Sequence, residues 1–488
     1  MPETELAIIK RRSLVGAISY FLRTLVLQGI GFISIIVLSK FFSPEDFGIY
    51  GIVIQIIGIL IFFSDIGLAA SLIQKKAEPT KKDLQTVFAI QQILSWLIVG
   101  AVVLLSQLAL IQNKLGPDGT WVLYALAISF PLATLKTIPS VILERKLEFS
   151  KLVLPQIFEQ LVFHSILIYL AWNGVGVLAY AYAVIARSII GVIVMSLIQP
   201  WPFGIRLDKK SLLGLINFGV KFQLNDFLAR VKDQLFYLTL GLVIPTRQFG
   251  YIQWAKSWSM YPYNLTVQNV LAITFPSFSR LQHNKAALAK AIEKSLFFIT
   301  LVIFPIIVGM SLFIIPLLTL IPDYQKWLPA AASLILFSAS IAWGAVSTPL
   351  TNTLNAIGQI NQTLKLMLLW TTLTWILTPV LYVLLGFNGV AWAALLISFT
   401  SALSVYYVQK AVSFSFLDQV WRQTLASLVM VVLGLFGWQY WQQGFTQLLT
   451  GMLLVGASYP AVLLLIGKDK ILSEINLILA IVRRKGTA

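Results

Sequence analysis

Runs of predominantly apolar residues, each about 20 long or more, recur from one end of this chain to the other, and they constrain its fold more than any other feature. Hydrocarbon offers the backbone no hydrogen-bond partners, so each run reads as a helix that satisfies its own amides and carbonyls. Fourteen spans are expected, near 14–38, 47–70, 85–110, 120–142, 152–172, 176–199, 212–243, 250–276, 295–321, 330–355, 364–386, 389–411, 424–441 and 446–466. Only 11% of the 488 residues are charged, against about 25% in a soluble domain. The expected class is therefore an all-α polytopic membrane protein. The short alternating strands of a membrane β-barrel are absent from the sequence.

The chain has no cysteine, which excludes disulfides, thiolate metal sites and a cysteine nucleophile. Two histidines, His164 and His283, leave little for a histidine-based metal or catalytic site, and no metal or cofactor is expected. The net charge of +17 raises the question of nucleic acid, but its distribution answers it. With both termini on one side, 25 of the 36 Lys and Arg residues fall in loops on that side. The other side has Lys40, Lys114, Arg247 and Lys326. Positive loops stay in the cytoplasm, so both termini are expected there and no nucleic-acid partner is implied.

Lys10-Arg11-Arg12 precedes an apolar run reaching Leu38, too long for a cleavable signal core and without an Ala-x-Ala site. The outer loops are short, the longest around Asn113–Gly119, and leave no room for a catalytic domain. In the tail, Ile471, Leu472, Ile475, Ile478, Leu479 and Val482 recur at helical spacing ahead of Arg483-Arg484-Lys485. This reads as an amphipathic helix on the inner leaflet.

The chain repeats itself. Pro44-Glu45-Asp46-Phe47-Gly48 follows the first span, and Pro245-Thr246-Arg247-Gln248-Phe249-Gly250 follows the seventh, with the Phe-Gly pairs 202 residues apart. Asn173-Gly174-Val175 is echoed by Asn388-Gly389-Val390. Six spans separate the copies, so both halves keep one orientation, as in transporters built from parallel repeats. The expected organisation is an N-terminal lobe (1–199), a cytoplasmic linker (200–211), a second lobe (212–412), two further spans (413–467) and the tail (468–488).

Seven basic residues lie within spans: Arg23, Lys136, Arg187, Lys221, Arg230, Lys232 and Lys256. The acids beside them are Asp65, Glu159, Asp226 and Asp233. Ionisable groups in a bilayer usually face a wet cavity or one another, so the positive surplus points to an anion. On a helix, Asp226, Arg230, Asp233 and Tyr237 share a sector of about 60°, with Gln223 at its edge. The candidate cavity set is Arg23, Gln28, Arg187, Gln223, Asn225, Asp226, Arg230, Asp233, Tyr237 and Lys256. Two readings stand open at Arg230: a ligand, or neutralisation by Asp226 and Asp233 at helical spacing. Lys136 and Lys221 read as snorkelling toward headgroups. Asp65, Glu159 and His164 are candidates for ion coupling or gating, with capping or packing as the alternative. Pro139, Pro155, Pro262, Pro276, Pro305, Pro316 and Pro349 are expected to interrupt or end spans.

Leu25–Gly31, Leu38–Tyr50, Phe63–Gln74 and Val141–Phe149 resemble the corresponding stretches of Wzx-type polysaccharide flippases, in the multidrug/oligosaccharidyl-lipid/polysaccharide superfamily. The resemblance implies a MATE-like fold, with about 14 helices in two pseudo-symmetric six-helix lobes plus a C-terminal pair. It implies a non-enzyme of the bacterial inner membrane that flips undecaprenyl-diphosphate-linked oligosaccharide by alternating access. The implied partners are that glycan lipid, membrane lipids and polysaccharide polymerase machinery. Gln253, Trp254, Trp258 and Tyr263 would then join Gln223, Asn225 and Tyr237 against sugars, with packing or an aromatic belt as the alternative. A drug/cation antiporter is the runner-up, but that branch carries a carboxylate on the first span, where this chain offers Arg23. A glycan polymerase or ligase is a further alternative that the short outer loops disfavour.

Overall fold

A backbone polar group without a partner is costly in hydrocarbon, and continuous helices are how this chain avoids that cost. The computed structural model describes residues 23–209, 212–213 and 233–486, with 272–273, 275–276 and 469–486 described as backbone. No strand occurs among the described residues. The helices are α1 (Arg23–Phe41), α2 (Pro44–Leu60), the short α3 (Leu68–Gln74), α4 (Lys81–Ser106), α5 (Ala109–Arg145), α6 (Phe149–Trp172), α7 (Ala179–Ile198) and α8 (233–243). They continue as α9 (Thr246–Leu281), α10 (Lys285–Leu320), α11 (Ala331–Ala356), α12 (Ile360–Leu385), α13 (Asn388–Phe399), α14 (Ala402–Ala411), α15 (Phe416–Phe436), α16 (Trp438–Trp441) and α17 (Phe445–Gly486). The chain divides into two compact units, one ending at Gln253 and one beginning at Trp254, so the division falls within α9.

Twelve segments among the described residues are long and apolar enough to cross a membrane. The expected span at 212–243 lies largely outside the described residues. α9 covers the expected span at 250–276 and has 36 residues, but Lys256, Asn264, Gln268 and Asn269 make it more polar than the rest.

Local chemistry sets the helix ends. Ser43 Oγ accepts the Asp46 N–H at 3.1 Å while the Asp46 carboxylate accepts the Ser43 N–H at 2.8 Å, and Pro44 supplies the first turn of α2. Thr80 and Asp83 cap α4 in the same way, and Lys75 Nζ closes on Asp83 at 2.6 Å. Asn113–Gly119, expected as a loop, is helical apart from a break at Gly116 (φ 64°), with Pro117 resuming the helix. The linker residues Trp201–Asp208 have no regular secondary structure and are pinned to α4, with buried Trp201 edge-on to Phe88 at 5.2 Å and the Asp208 N–H donating to Thr86 Oγ1 at 3.2 Å. The tail backbone is helical through Gly486, beyond a break at Gly467.

The prolines differ from expectation. Pro139 lies inside α5, Pro155 inside α6, Pro262 and Pro276 inside α9, Pro305 and Pro316 inside α10, and Pro349 inside α11. A membrane helix runs on through proline when another group takes up the freed carbonyl. Pro305 leaves the Leu301 carbonyl without its helical donor, and the Tyr459 hydroxyl of α17 donates to that oxygen at 3.1 Å.

In the first unit, Leu68, Leu72, Val87, Phe88, Ile138, Val141 and Trp201 pack together. In the second, Phe297, Phe313, Met430, Trp441, Leu448 and Tyr459 join α10, α15, α16 and α17. Trp254 and Trp327, both fully buried, stack at 4.8 Å with 8° between their planes. Truncation of such a ring costs about 3–5 kcal/mol, whereas loss of one hydrogen bond in a membrane protein costs about 1 kcal/mol. Trp327→Ala is therefore expected to lower the unfolding midpoint in detergent far more than Tyr459→Phe. The reverse order would contradict this packing.

Candidate functional site

Three consecutive spans each bring one ionisable side chain to a common point. Lys136 of α5 forms an ion pair with Glu159 Oε1 of α6, and Arg187 Nε of α7 lies 3.7 Å from Glu159 Oε2. The carboxylate fits against α7 because Gly191, one turn beyond Arg187, has no side chain: a Cβ there would sit 2.0 Å from Glu159 Oε1. Glu159 is buried, the Lys136 side chain is 19% exposed and that of Arg187 39% exposed. Two cations thus share one carboxylate, and the more open of the two is the planar, five-donor guanidinium.

Aromatic groups frame Arg187. Its guanidinium lies 5.7 Å from the Phe163 ring centroid, a cation–π arrangement. His164, the next residue, is hydrogen-bonded through Nδ1 to Ser34 Oγ of α1 at 2.7 Å. Arg187 also lies within electrostatic reach of Tyr50 of α2, which stacks on Tyr180 at 3.6 Å. Gln156, one turn before Glu159, has a buried Oε1 without a hydrogen-bond partner. Five helices of the first unit, α1, α2, α5, α6 and α7, therefore converge on this cluster.

The structure brings Arg187, Glu159 and His164 into one region. Glu159 turns toward α5 and α7 while His164 turns toward α1, as a five-residue spacing on a helix requires. Lys136 corrects the sequence reading: it does not reach for headgroups but pairs with a buried carboxylate. Asp65 caps α3, accepting the Ala69 N–H at 3.1 Å and the side-chain amide of Gln91. Arg23 and Gln28 lie half-buried on α1. On α8, Asp233 is exposed and Tyr237 half-buried, and Lys256 is half-buried on α9 in the second unit. Gln223, Asn225, Asp226 and Arg230 lie outside the described residues, as do Lys221 and Lys232. Trp254 is fully buried against Trp327 and offers no face to a ligand. Trp258 is buried beside an apolar cavity of about 390 Å³ lined also by Met310, Met430 and Met452. Tyr263 is tied to Thr348 Oγ1 at 3.0 Å.

Lys136, Gln156 and Gly191 were not among the sequence candidates. One signal was available for Lys136: Glu159 is the sole carboxylate within the three expected spans from 120 to 199, so two cations there had one possible partner. Gly191 carries no such signal, because its role depends on a side chain from another helix.

The chain matches the polysaccharide biosynthesis protein family over residues 37–332. It is similar to the lipopolysaccharide biosynthesis protein WzxC of Escherichia coli (strain K12), 21% identical over 314 residues that make up 62% of this chain and 61% of that protein. It is also similar to the succinoglycan biosynthesis transport protein ExoT of Rhizobium meliloti (strain 1021), 20% identical over 286 residues, 58% of this chain and 57% of that one. The chain thus spans about three fifths of the length of the curated relatives it matches. In fold it resembles the lipid II flippase MurJ in an inward closed conformation, with TM-score 0.70 and 14% identity, covering 94% of this chain and all of that one. An inward-facing multidrug MATE transporter gives TM-score 0.57 at 12% identity, over 80% of this chain and 98% of that one. With most of its length matched by the family, from the end of α1 to the start of α11, the chain belongs to the polysaccharide biosynthesis protein family.

Proposed function

We propose that this protein is a flippase that carries an undecaprenyl-diphosphate-linked oligosaccharide repeat unit across the bacterial inner membrane by alternating access, supplying surface or exopolysaccharide synthesis. The observation that carries the reading is the Lys136–Glu159–Arg187 cluster, in which two cations share one carboxylate inside a membrane-spanning bundle. A diphosphate accepts two parallel hydrogen bonds from a planar guanidinium fork such as that of Arg187, whose exposed side is not consumed by Glu159. Phe163 steadies the guanidinium from its face, and Glu159 limits the charge that stands empty between substrates. The similarity to the lipopolysaccharide biosynthesis protein WzxC and the succinoglycan biosynthesis transport protein ExoT supports the same direction. Under this reading the repeat-related lobes are 1–199 and 212–412. In this proposal Arg23, Gln28, Gln223, Asn225, Asp226, Arg230, Asp233, Tyr237 and Lys256 are the further candidates to bind the lipid-linked glycan. Glu159 and His164 transmit substrate binding to α5 and α1, and a polysaccharide polymerase receives the product.

A charge-assisted hydrogen bond is worth about 1.5–3 kcal/mol, or roughly ten- to a hundredfold in binding. Arg187→Ala is expected to lower transport of labelled undecaprenyl-diphosphate glycan in proteoliposomes by about that factor at matched protein levels. Arg187→Lys should fall in between, because an ammonium lacks the fork. Full transport by Arg187→Ala would sink the assignment.

The reading also places both termini in the cytoplasm. A fluorescent protein fused at the C-terminus should fluoresce, and alkaline phosphatase fused after Gln443 should be active. The opposite pair of results would invert the topology.

A further inference from the structure

The two copies of the sequence repeat meet each other. α2 begins at Pro44 and α9 at Thr246, residues 202 apart like the two Phe-Gly pairs. A Cβ on Gly48 would lie 2.1 Å from the Thr246 carbonyl oxygen, and a Cβ on Gly250 would lie 1.7 Å from the Pro44 carbonyl oxygen. Each glycine thus touches the counterpart of the residue its own counterpart touches, which is the signature of a local two-fold relation. Glu45 and Arg247, also counterparts, face each other at 3.5 Å across the same point. One turn deeper, a Cβ on Gly51 would collide with its own counterpart, Gln253, at 2.8 Å.

Further ties converge here. Lys114 of α5 donates to the Ile244 carbonyl at 2.6 Å, at the corner between α8 and α9. Asp46, already capping α2, accepts the Val177 N–H at 2.9 Å from the turn before α7. Lys114 and Arg247 are two of the four basic residues on the sparsely charged side of the membrane, and both are used at this crossing. The ion pair is exposed and contributes little by itself. The closeness of the two backbones is what defines the contact, and small residues are what permit it. At the crossing itself glycine Cα–H groups face carbonyl oxygens beside an exposed ion pair, both weak contacts, with the buried Phe249 ring behind them against Gly51.

We infer that the crossing of α2 and α9 at Gly48 and Gly250 is the outer gate of the protein, held closed in this structure, and that transport requires it to part and reseal. Its transport consequence rests on the alternating-access reading above. A gate made from two repeat copies is sealed by glycine because any other residue at either position would hold the helix ends apart.

The natural absence of cysteine makes the test direct. In the full-length chain carrying Glu45→Cys and Arg247→Cys, an oxidant should cross-link the pair, reduce glycan transport to background, and lose both effects on adding reductant. Cross-linked protein that transports as fast as the reduced form overturns the gate. A second arm needs no substrate, so it stands apart from the flippase reading. Gln253→Cys should be shielded from a membrane-impermeant maleimide applied outside, and adding Gly48→Ala or Gly250→Ala should raise its labelling rate about tenfold or more. Equal labelling in correctly inserted variants overturns the proposal. If the glycine variants fail to insert, the cross-linking arm, which leaves both glycines intact, decides.

Discussion

A carboxylate in the hydrocarbon layer must be partnered, and Glu159 is where this requirement shapes the first unit. Its partners come from the spans before and after its own, so one buried anion fixes the mutual placement of α5, α6 and α7. Taking one partner from a buried pair costs about 3–5 kcal/mol, more than most apolar contacts in a bundle supply. The same arrangement leaves Arg187 with donors to spare over an aromatic face. Stability and the proposed ligand chemistry therefore rest on one group, and altering one is expected to alter the other.

How much of this was legible depends on whether an interaction is local. The capping box at Ser43 and Asp46 and the apolar runs are encoded in adjacent residues, and among the described residues helices lie over the apolar runs. Interactions across helices were less visible. Lys136 looked like a snorkelling side chain because nothing within a turn of it is acidic, yet its partner lies 23 residues away on the next helix. The prolines read as breaks for a similar reason: the hydroxyl that relieves Pro305 comes from Tyr459, more than 150 residues downstream. Trp254 and Trp258 looked like platforms for sugars because aromatic residues at a membrane serve that role or packing equally well, and only burial separates the two.

The repeat was legible as a pattern but not as a contact. Duplicated Phe-Gly motifs predict two helices starting alike; they do not predict that those starts touch. A duplicated half related by a two-fold axis brings some segment against its own copy wherever the axis passes, and the residues there must be compatible with themselves. Glycine opposite helix backbone meets that condition without needing charge or shape complementarity. Glu45 opposite Arg247 shows the copies diverging at a point where identical charges would repel.

α12 illustrates a different constraint. Val383 and Leu384 are 81% and 70% exposed, and few of its residues are buried at all. At 26 residues it is about 39 Å long, against a hydrocarbon thickness of about 30 Å. A span with little protein around it has little to hold its angle, so it tilts to fit the lipid it meets. Membranes of different thickness would be accommodated first at this helix.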